Sequence, residues 1–319
     1  MSGSGGVPPA PTEARTALAA GISCYLIWGF APLAFQQMGA VGADPLEVMA
    51  HRAIWGVVWA GLLVLMAHQS GQVRAILSDR RTLGWLALST ALIAVNWTIF
   101  VLAVTSGRLL DASLGYYLNP LLSMAAGSWF FSERLDRWGL TAIALAAVGV
   151  VLQALALGHL PWISLVLALS FAAYGVIRKR VSADAQAGLF VECLLLAPLG
   201  LGWAIWLQVQ GTGHFTDSAA SVFWLMAAGP ITVLPLALFA WAARRMPLST
   251  MGFLQFMAPS IAFIIGTIQG EPLGDLRVVS FAFIWVGALV YAAGAVRRTR
   301  AVRVLAPEPG LIDPPAERP

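Results

Sequence analysis

The chain has few charged residues: Asp, Glu, Lys and Arg make up 11% of its 319 positions, against about 25% in an average soluble domain. Its single lysine, Lys179, follows no glycine-rich loop, which excludes an ATP-binding P-loop. Both cysteines, Cys24 and Cys193, lie in apolar runs, so neither a disulfide framework nor a metal site is indicated. We therefore expect no cofactor and no enzymatic activity. We also expect no nucleic-acid partner, because basic loops near lipid headgroups explain the excess of positive charge.

Long apolar runs dominate the rest of the sequence, and each approaches the ~20 residues that a helix needs to cross a bilayer. The ten runs are 17–38, 46–67, 83–105, 111–131, 138–157, 161–177, 188–208, 221–243, 248–269 and 276–296. They leave only short loops, so the sequence predicts an all-α integral membrane protein with ten transmembrane helices. Residues 1–14 and 299–319 are predicted to be disordered cytoplasmic tails, because their composition is poor in apolar side chains.

Basic residues are distributed unevenly between alternate loops. Sixteen of the nineteen lie in the two tails and the even-numbered loops, whereas only Arg108 and Arg277 lie in the odd-numbered loops. Arg52 is the one that remains inside a run. Because positively charged loops stay on the cytoplasmic side of a membrane, the sequence predicts that both termini are cytoplasmic.

The second half of the chain repeats the first in outline. At an offset of 139 residues, Trp85 falls on Trp224 and Pro120 on Pro259. With five helices per copy, the second copy must enter the membrane from the opposite side, as the arginine distribution also indicates. The sequence therefore predicts a 5+5 inverted repeat, with the first repeat over 15–157 and the second over 158–298. This architecture is typical of carriers that expose one site to either side in turn.

Several polar and aromatic side chains fall at membrane depth, where polar groups are costly and usually face a cavity or another helix. Both Asn96 and Asn119 come near the midplane on neighbouring spans, which favours a ligand site. The predicted substrate-binding residues are Asn96, Asn119, Tyr116, Gln255, Trp28 and Tyr174. The alternative for the two asparagines is interhelical hydrogen bonding, and for Trp28 and Tyr174 it is ordinary packing.

Three charged residues inside the spans, Arg52, Asp111 and Glu192, are predicted to act in gating or charge coupling. An arginine at a helix centre costs about 2.5–3.5 kcal/mol. We expect Arg52 either to pair with Asp111 or to extend its side chain to the outer headgroups. Only Glu192 and Asp111 are candidates for proton coupling. Pro120 and Pro259 are predicted hinges, because proline removes a backbone hydrogen bond and permits a bend.

Four strings of residues stand out in this order: YLIWGFAP at 25–32, LDASLGYYLNP at 110–120, LSTMGFLQF at 248–256 and FAFIWV at 281–286. They resemble the RarD branch of the EamA transporters, within the drug/metabolite transporter superfamily. The resemblance covers about residues 15–300. It implies a bacterial inner-membrane permease with ten helices in two EamA repeats, of the kind called chloramphenicol-sensitivity proteins. The second repeat carries Ala258 where the first has Asn119, so a symmetric site is not expected.

We therefore expect a secondary transporter that moves a small organic metabolite or drug outward, by rocking of the two halves around a site between spans three, four, eight and nine. Its expected partners are the small-molecule substrate and the lipid bilayer, with proton coupling and a homodimer left open. Two alternatives are a facilitator without ion coupling and a non-transporting membrane scaffold or lipid-handling protein. An intramembrane enzyme ranks behind both.

Overall fold

The computed structural model describes residues 11–131, 136–181, 183–243, 245–246, 250–251 and 254–305, and within these ranges it contains helices and no strands. The eleven helices of the described residues, numbered in chain order, are α1 (Pro11–Ala40), α2 (Pro45–Met66), α3 (Ser70–Ser78), α4 (Arg80–Thr105), α5 (Leu109–Phe131), α6 (Arg137–Leu157), α7 (Trp162–Arg180), α8 (Ala185–Gln210), α9 (Ala219–Ala243), α10 (Met257–Ile268) and α11 (Asp275–Leu305).

All of these helices except α3 coincide with the ten predicted spans. The sequence analysis missed α3, a nine-residue helix in the second loop, because it is too short to register as a span. It buries Val73 and Ile76 against α4 and α8, so it lies along the end of the bundle.

Parts of the two tails that were predicted to be disordered are helical in the structure. Since α1 begins at Pro11 and α11 ends at Leu305, residues 11–14 and 299–305 are helical. Proline fits the first turn of a helix, where its missing N–H has no partner to lose, and composition alone does not reveal this. The remaining tail residues, 1–10 and 306–319, lie outside the described residues.

Aspartates fix where three helices begin. The Asp44 side chain accepts hydrogen bonds from the first backbone N–H groups of α2, and Pro45 follows it as the first helical residue. Asp79 caps α4 in the same way, and Asp136 caps α6. These bonds satisfy N–H groups that the helix itself leaves free. The hydrogen bond from Thr82 is the main reason that the pKa of the exposed Asp79 lies below its usual range.

The outer surface of the bundle is apolar. Seven helices, α1, α2, α4, α6, α8, α9 and α11, have the length and composition to cross a membrane, and α7 and α10 are shorter apolar helices. Large side chains such as Trp129, Leu199 and Val209 point outward, with exposed fractions of 85%, 73% and 75%. Soluble proteins rarely expose so many large apolar groups together, so this surface faces lipid.

The two halves, α1–α6 and α7–α11, pack on each other around an approximate two-fold axis. Helix α2 lies along α8 and α6 along α11, so each of these helices contacts its own counterpart. Two further sets of contacts match in pairs: α1 packs on α9 as α7 packs on α4, and α1 packs on α10 as α7 packs on α5. Each half supplies five spans, so the two copies run through the membrane in opposite directions. The fold is an all-α membrane bundle with a 5+5 inverted repeat.

Glycines allow close crossings between the halves. A Cβ added to Gly200 on α8 would lie 2.9 Å from the carbonyl oxygen of Ala50 on α2. One added to Gly229 on α9 would lie 2.7 Å from the Cβ of Trp55, also on α2. Small residues of this kind let helix backbones approach within a membrane, where lipid offers no hydrophobic drive for association.

Both termini of the described chain lie at one end of the bundle, which we call the terminal face. The other end is the opposite face. Helices α2, α5, α7, α9 and α11 begin at the opposite face, and the remaining spans begin at the terminal face.

Candidate functional site

The residues singled out from the sequence fall into three separate groups in the structure. The central aromatic site consists of Phe35, Arg52, Trp97, Phe100 and Tyr116, which contact one another in succession, and Asn119 lies one turn beyond Tyr116 on α5. The Glu192 cluster consists of Ser89, Tyr174, Arg178 and Glu192. The Asp111 network consists of Arg108, Asp111, Gln153 and Arg277.

Arg52 is buried in the central aromatic site, with only 7% of its surface exposed. Its guanidinium carbon lies 3.9 Å from the centre of the Trp97 ring and 5.4 Å from the centre of the Phe35 ring. The Nε and Nη1 atoms are buried and have no hydrogen-bond partner in the described part of the chain. Because Arg52 lies seven residues into α2, it is about 10 Å below the opposite face. The contacts that the structure shows for this guanidinium, among the described residues, are therefore with two aromatic rings.

Aromatic contacts continue from Arg52 to α5. The Phe100 ring lies 5.9 Å from Phe35 and 5.3 Å from Tyr116, edge to face in both cases. One turn beyond Tyr116, Asn119 is buried, and its Oδ1 has no hydrogen-bond partner among the described residues. Side chains of α9 and α10 pack against this group from the second half of the chain. The central aromatic site is thus enclosed by both halves.

Asn96 does not share the environment of Asn119. Its Nδ2 donates to the carbonyl oxygen of Leu167 at 2.8 Å and to Ser170 Oγ at 3.0 Å, both on α7. The amide therefore ties α4 to α7, which is the interhelical alternative that the sequence left open. The two asparagines predicted as a pair have different surroundings, one bonded to a neighbouring helix and one with an unused acceptor.

The Glu192 cluster joins three helices nearer the terminal face. Ser89 Oγ on α4 donates to Glu192 Oε1 at 2.6 Å, and the Tyr174 hydroxyl on α7 donates to Oε2 at 3.2 Å. Arg178 Nε lies 3.9 Å from Oε1, and the carboxylate is 1% exposed. Ser89 and Trp97 are eight residues apart on α4, so this cluster and the central aromatic site are separated by about 12 Å along the helix axis.

The Asp111 network corrects the pairing proposed for Arg52. Asp111 Oδ1 accepts from Arg277 Nη2 at 2.8 Å, and Oδ2 lies 2.7 Å from Arg108 Nη2. The proposed Arg52–Asp111 pair is therefore wrong, because both carboxylate oxygens are occupied by arginines at the opposite face. The alternative, an Arg52 side chain extended to the headgroups, is also wrong, since that side chain is buried. In the amide orientation that satisfies both residues, Gln153 accepts a hydrogen bond from Arg277 Nε at 3.1 Å.

Further polar contacts link the two halves at the opposite face. Glu271 accepts hydrogen bonds from the backbone N–H groups of Leu109 and Leu110, which caps α5. Burial raises the pKa of the Glu271 carboxyl, more than these two N–H donors lower it. Glu47 binds His214, with 2.7 Å to its backbone nitrogen and 2.8 Å to Nδ1.

Gln36 and Gln269 complete this set, through two reciprocal hydrogen bonds of 2.8 and 2.9 Å between their amides. Helices α1, α2 and α5 of the first half are thereby tied to the loops and helix ends of the second half. The opposite face is closed over the central aromatic site.

The remaining predicted site residues lie apart from these groups or at a break in a helix. Trp28 packs on Tyr25 and Phe239, 5.5 and 6.1 Å away, in a separate apolar cluster. Gln255 lies in a turn that interrupts the ninth span immediately before α10. Pro259 removes the hydrogen bond to the Gln255 carbonyl, which explains the interruption. Pro120, in contrast, lies inside α5, which continues unbroken on both sides of it.

The chain resembles known proteins over most of its length. The model of the EamA-like transporter family matches residues 15–155. Over 303 residues the chain is 39% identical to an uncharacterized transporter of Pseudomonas aeruginosa, covering 94% of this chain and all of that protein. It is 36% identical over 290 residues to the protein RarD of Escherichia coli, covering 90% and 97% of the two chains. The chain belongs to the RarD branch of the EamA transporters.

Two further likenesses fit this membership. A second Pseudomonas aeruginosa protein, named chloramphenicol-sensitive protein RarD, is 30% identical over 262 residues, or 81% of this chain and 87% of that protein. A protein of known crystal structure superposes with a TM-score of 0.59 at 17% identity, covering 89% of this chain and 99% of that one. The latter likeness shows the fold alone. That structure therefore shares its fold with 89% of this chain.

Several residues of the site and of the opposite-face contacts were not predicted from the sequence. Trp97 was not among the predicted site residues, although an aromatic ring on a neighbouring helix is a natural contact for an unpaired arginine. Glu47 and His214 gave no signal because they are 167 residues apart. Among the described residues, no group of three His, Cys, Asp or Glu side chains is placed to hold a metal ion.

Proposed function

We propose that the protein is a secondary transporter that moves a small organic metabolite or drug across the bacterial inner membrane by alternating access. The observation that carries the proposal is the central aromatic site, a buried group with unused polar atoms that lies within the membrane and is enclosed by two oppositely oriented halves. Polar groups of this kind at membrane depth mark substrate pathways. Halves related by inverted topology can exchange two similar conformations around such a site.

The opposite-face contacts act as the closed gate in this mechanism. Opening toward that face requires the Gln36–Gln269, Glu47–His214 and Asp111–Arg277 contacts to separate, since each joins one half to the other. A double variant, Gln36→Cys with Gln269→Cys, should be cross-linked by a bifunctional methanethiosulfonate reagent, which spans the gap left by the two amides, and should then stop transporting. Reduction should restore flux, whereas either single variant should stay active after the same treatment. Unchanged flux through the cross-linked double variant would contradict the gating role.

The terminal face is the cytoplasmic side in this proposal, because sixteen of the nineteen basic residues of the sequence lie in the segments that reach it. Reporter fusions after residues 159 and 214 should therefore report the outside of the cell, and a fusion after residue 179 should report the inside. A reversed pattern would exclude this orientation.

Proton coupling is assigned to Glu192. Its carboxylate contacts two hydroxyl groups, with a guanidinium nitrogen at 3.9 Å, whereas Asp111 is held by two arginines. Glu192 is therefore the carboxylate that can change its protonation at lower cost. We expect Glu192→Gln to abolish uphill transport driven by a pH gradient while leaving counterflow in proteoliposomes. Asp184→Asn, which changes an exposed carboxylate at the start of the same helix, is the control. Normal uphill transport by Glu192→Gln would exclude Glu192 as the coupling residue. A wild-type protein that shows counterflow but no uphill transport would favour an uncoupled facilitator.

The substrate class is tested by a solute-uptake and efflux screen on a strain that lacks the protein, with and without its expression. Chloramphenicol belongs in the screen because one relative is named for sensitivity to it. Outward movement predicts that expression lowers the accumulation of a transported solute. The proposal fails if no solute in a broad screen changes its accumulation while the protein is present at normal levels.

A further inference from the structure

Arg52 differs from the other buried side chains of the described chain that carry a formal charge, although the neighbouring His51 also has two ring nitrogens without a hydrogen-bond partner. Asp111 and Arg277 pair with each other, and Glu47 pairs with His214. Glu192 accepts hydrogen bonds from two hydroxyl groups. Arg52 alone among the buried charged residues in the described ranges has neither an ion pair nor a hydrogen bond. A charge that is buried in this way is expensive unless a partner of opposite sign completes it.

The Trp97 ring supplies only part of what the guanidinium needs. A carbon-to-centroid distance of 3.9 Å is close to van der Waals contact, so the flat group lies against the ring face. A cation–π contact stabilises the charge but forms no hydrogen bonds with the N–H edge. Two of the three nitrogens, Nε and Nη1, keep their donors unused. These donors lie in the plane of the guanidinium on two different edges, and either edge can donate to a carboxylate.

We propose that Arg52 binds the carboxylate of the transported solute, with Trp97 holding the guanidinium in position. The inference rests on the proposed transport function, for which it names the substrate class. Phe35, Phe100 and Tyr116 form a continuous aromatic wall next to the guanidinium, and this wall suits a flat apolar or aromatic body. The solute is therefore a small aromatic or apolar carboxylate.

Asn119 adds a second polar contact for the same solute. It lies one turn beyond Tyr116 on α5, and the Tyr116 ring contacts Phe100 of the aromatic wall. Its unused Oδ1 accepts a hydrogen bond from a hydroxyl or amino group on the body of the solute. The site would thus bind the carboxylate of the solute through Arg52 and a hydrogen-bond donor on the body of the solute through Asn119.

Binding is tested on the purified full-length protein in detergent micelles, with benzoate and indole-3-acetate as probes and their uncharged amides as controls. The shift of the thermal unfolding midpoint is followed as each probe is titrated at constant ionic strength. We expect saturable stabilisation by the acids and none by the amides. Arg52→Met should weaken the apparent affinity for the acids by about tenfold or more, as expected for losing a charge-assisted pair. Arg74→Met, which removes an exposed arginine on α3, should leave it unchanged.

Four binding results would overturn the assignment. The acids and the amides could bind equally, Arg52→Met could retain the affinity of the wild type, or neither acid could bind. Sodium chloride giving the same saturable shift would also overturn it, because that would indicate a site for a spherical anion.

A second measurement needs no ligand. If Arg52 serves binding, the ligand-free protein carries an uncompensated buried charge, so Arg52→Met should raise the unfolding midpoint. A structural role through Trp97 predicts the reverse, and a lowered midpoint would count against the proposal. Transport is scored separately: Arg52-dependent binding without flux would overturn the transporter alone. Flux that is indifferent to Arg52→Met would overturn this site alone.

Discussion

The Asp111 network offers a comparison of two arginines that hold one carboxylate. Arg277 and Arg108 lie at almost the same distance from Asp111, 2.8 and 2.7 Å, but their side chains are 10% and 33% exposed. Removing one partner of a buried pair costs about 3–5 kcal/mol, because the other charge is left unmatched. An exposed pair is worth only about 0.2–1 kcal/mol, since water screens it.

We therefore expect Arg277→Met to lower the free energy of unfolding by about 3 kcal/mol, the low end of the range, because Asp111 keeps its contact with Arg108. Arg108→Met should lower it by less than about 1 kcal/mol. Unfolding by SDS titration in mixed micelles, followed by circular dichroism, measures both. The double variant should lose more than the sum of the two, because Asp111 then has no cation. Equal losses in the two single variants would refute the argument that burial sets the strength of these pairs.

Three other predictions use matched positions or pH. Asn96→Ala should lower the free energy of unfolding by about 1 kcal/mol, since it loses its interhelical hydrogen bonds, while Asn119→Ala should change it little, and equal losses would contradict this. Because burial raises the pKa of Glu271, the folded protein binds the proton more tightly than the unfolded chain, and stability should fall as pH rises from the unfolded pKa through the raised folded one. Glu271→Gln should remove that slope in unfolding measured across pH, and an unchanged slope would exclude Glu271 as its source. Gly229→Ala should destabilise by about 1–3 kcal/mol because its Cβ meets the α2 backbone, whereas Gly84→Ala, with nothing within 4 Å, should not; the unfolding midpoints decide between them.

Much of the fold could be predicted from the sequence because lipid imposes simple rules. Apolar runs of helix-spanning length and the arginine distribution are properties of single segments, and each can be read without knowing its neighbours. The match between Pro120 and Pro259, together with an odd number of spans in each copy, was enough to infer the inverted repeat. Helix α3 was not predicted because the sequence of a nine-residue amphipathic helix resembles that of a polar loop.

The partners of charged side chains could not be predicted in the same way. Depth along a span placed Arg52 and Asp111 at compatible levels, but it gave no information on which helix each faces. In the structure Asp111 faces α11, where Arg277 pairs with its carboxylate. Arg52 faces Trp97 on α4 instead. Choosing between such partners requires the rotation of each helix, which packing between distant segments decides.

The reciprocal packing of the two repeats has a consequence for biosynthesis. Helix α1, among the first segments to leave the ribosome, has its main neighbours in α9 and α10, and α6 rests on α11, the final span. The first five spans therefore lack their main packing partners in the membrane until translation is almost finished. A prematurely terminated polypeptide would keep these surfaces bare and be open to proteolysis. Two separately encoded fragments, cut after α6 and synthesised in the same cell, would find each other and assemble.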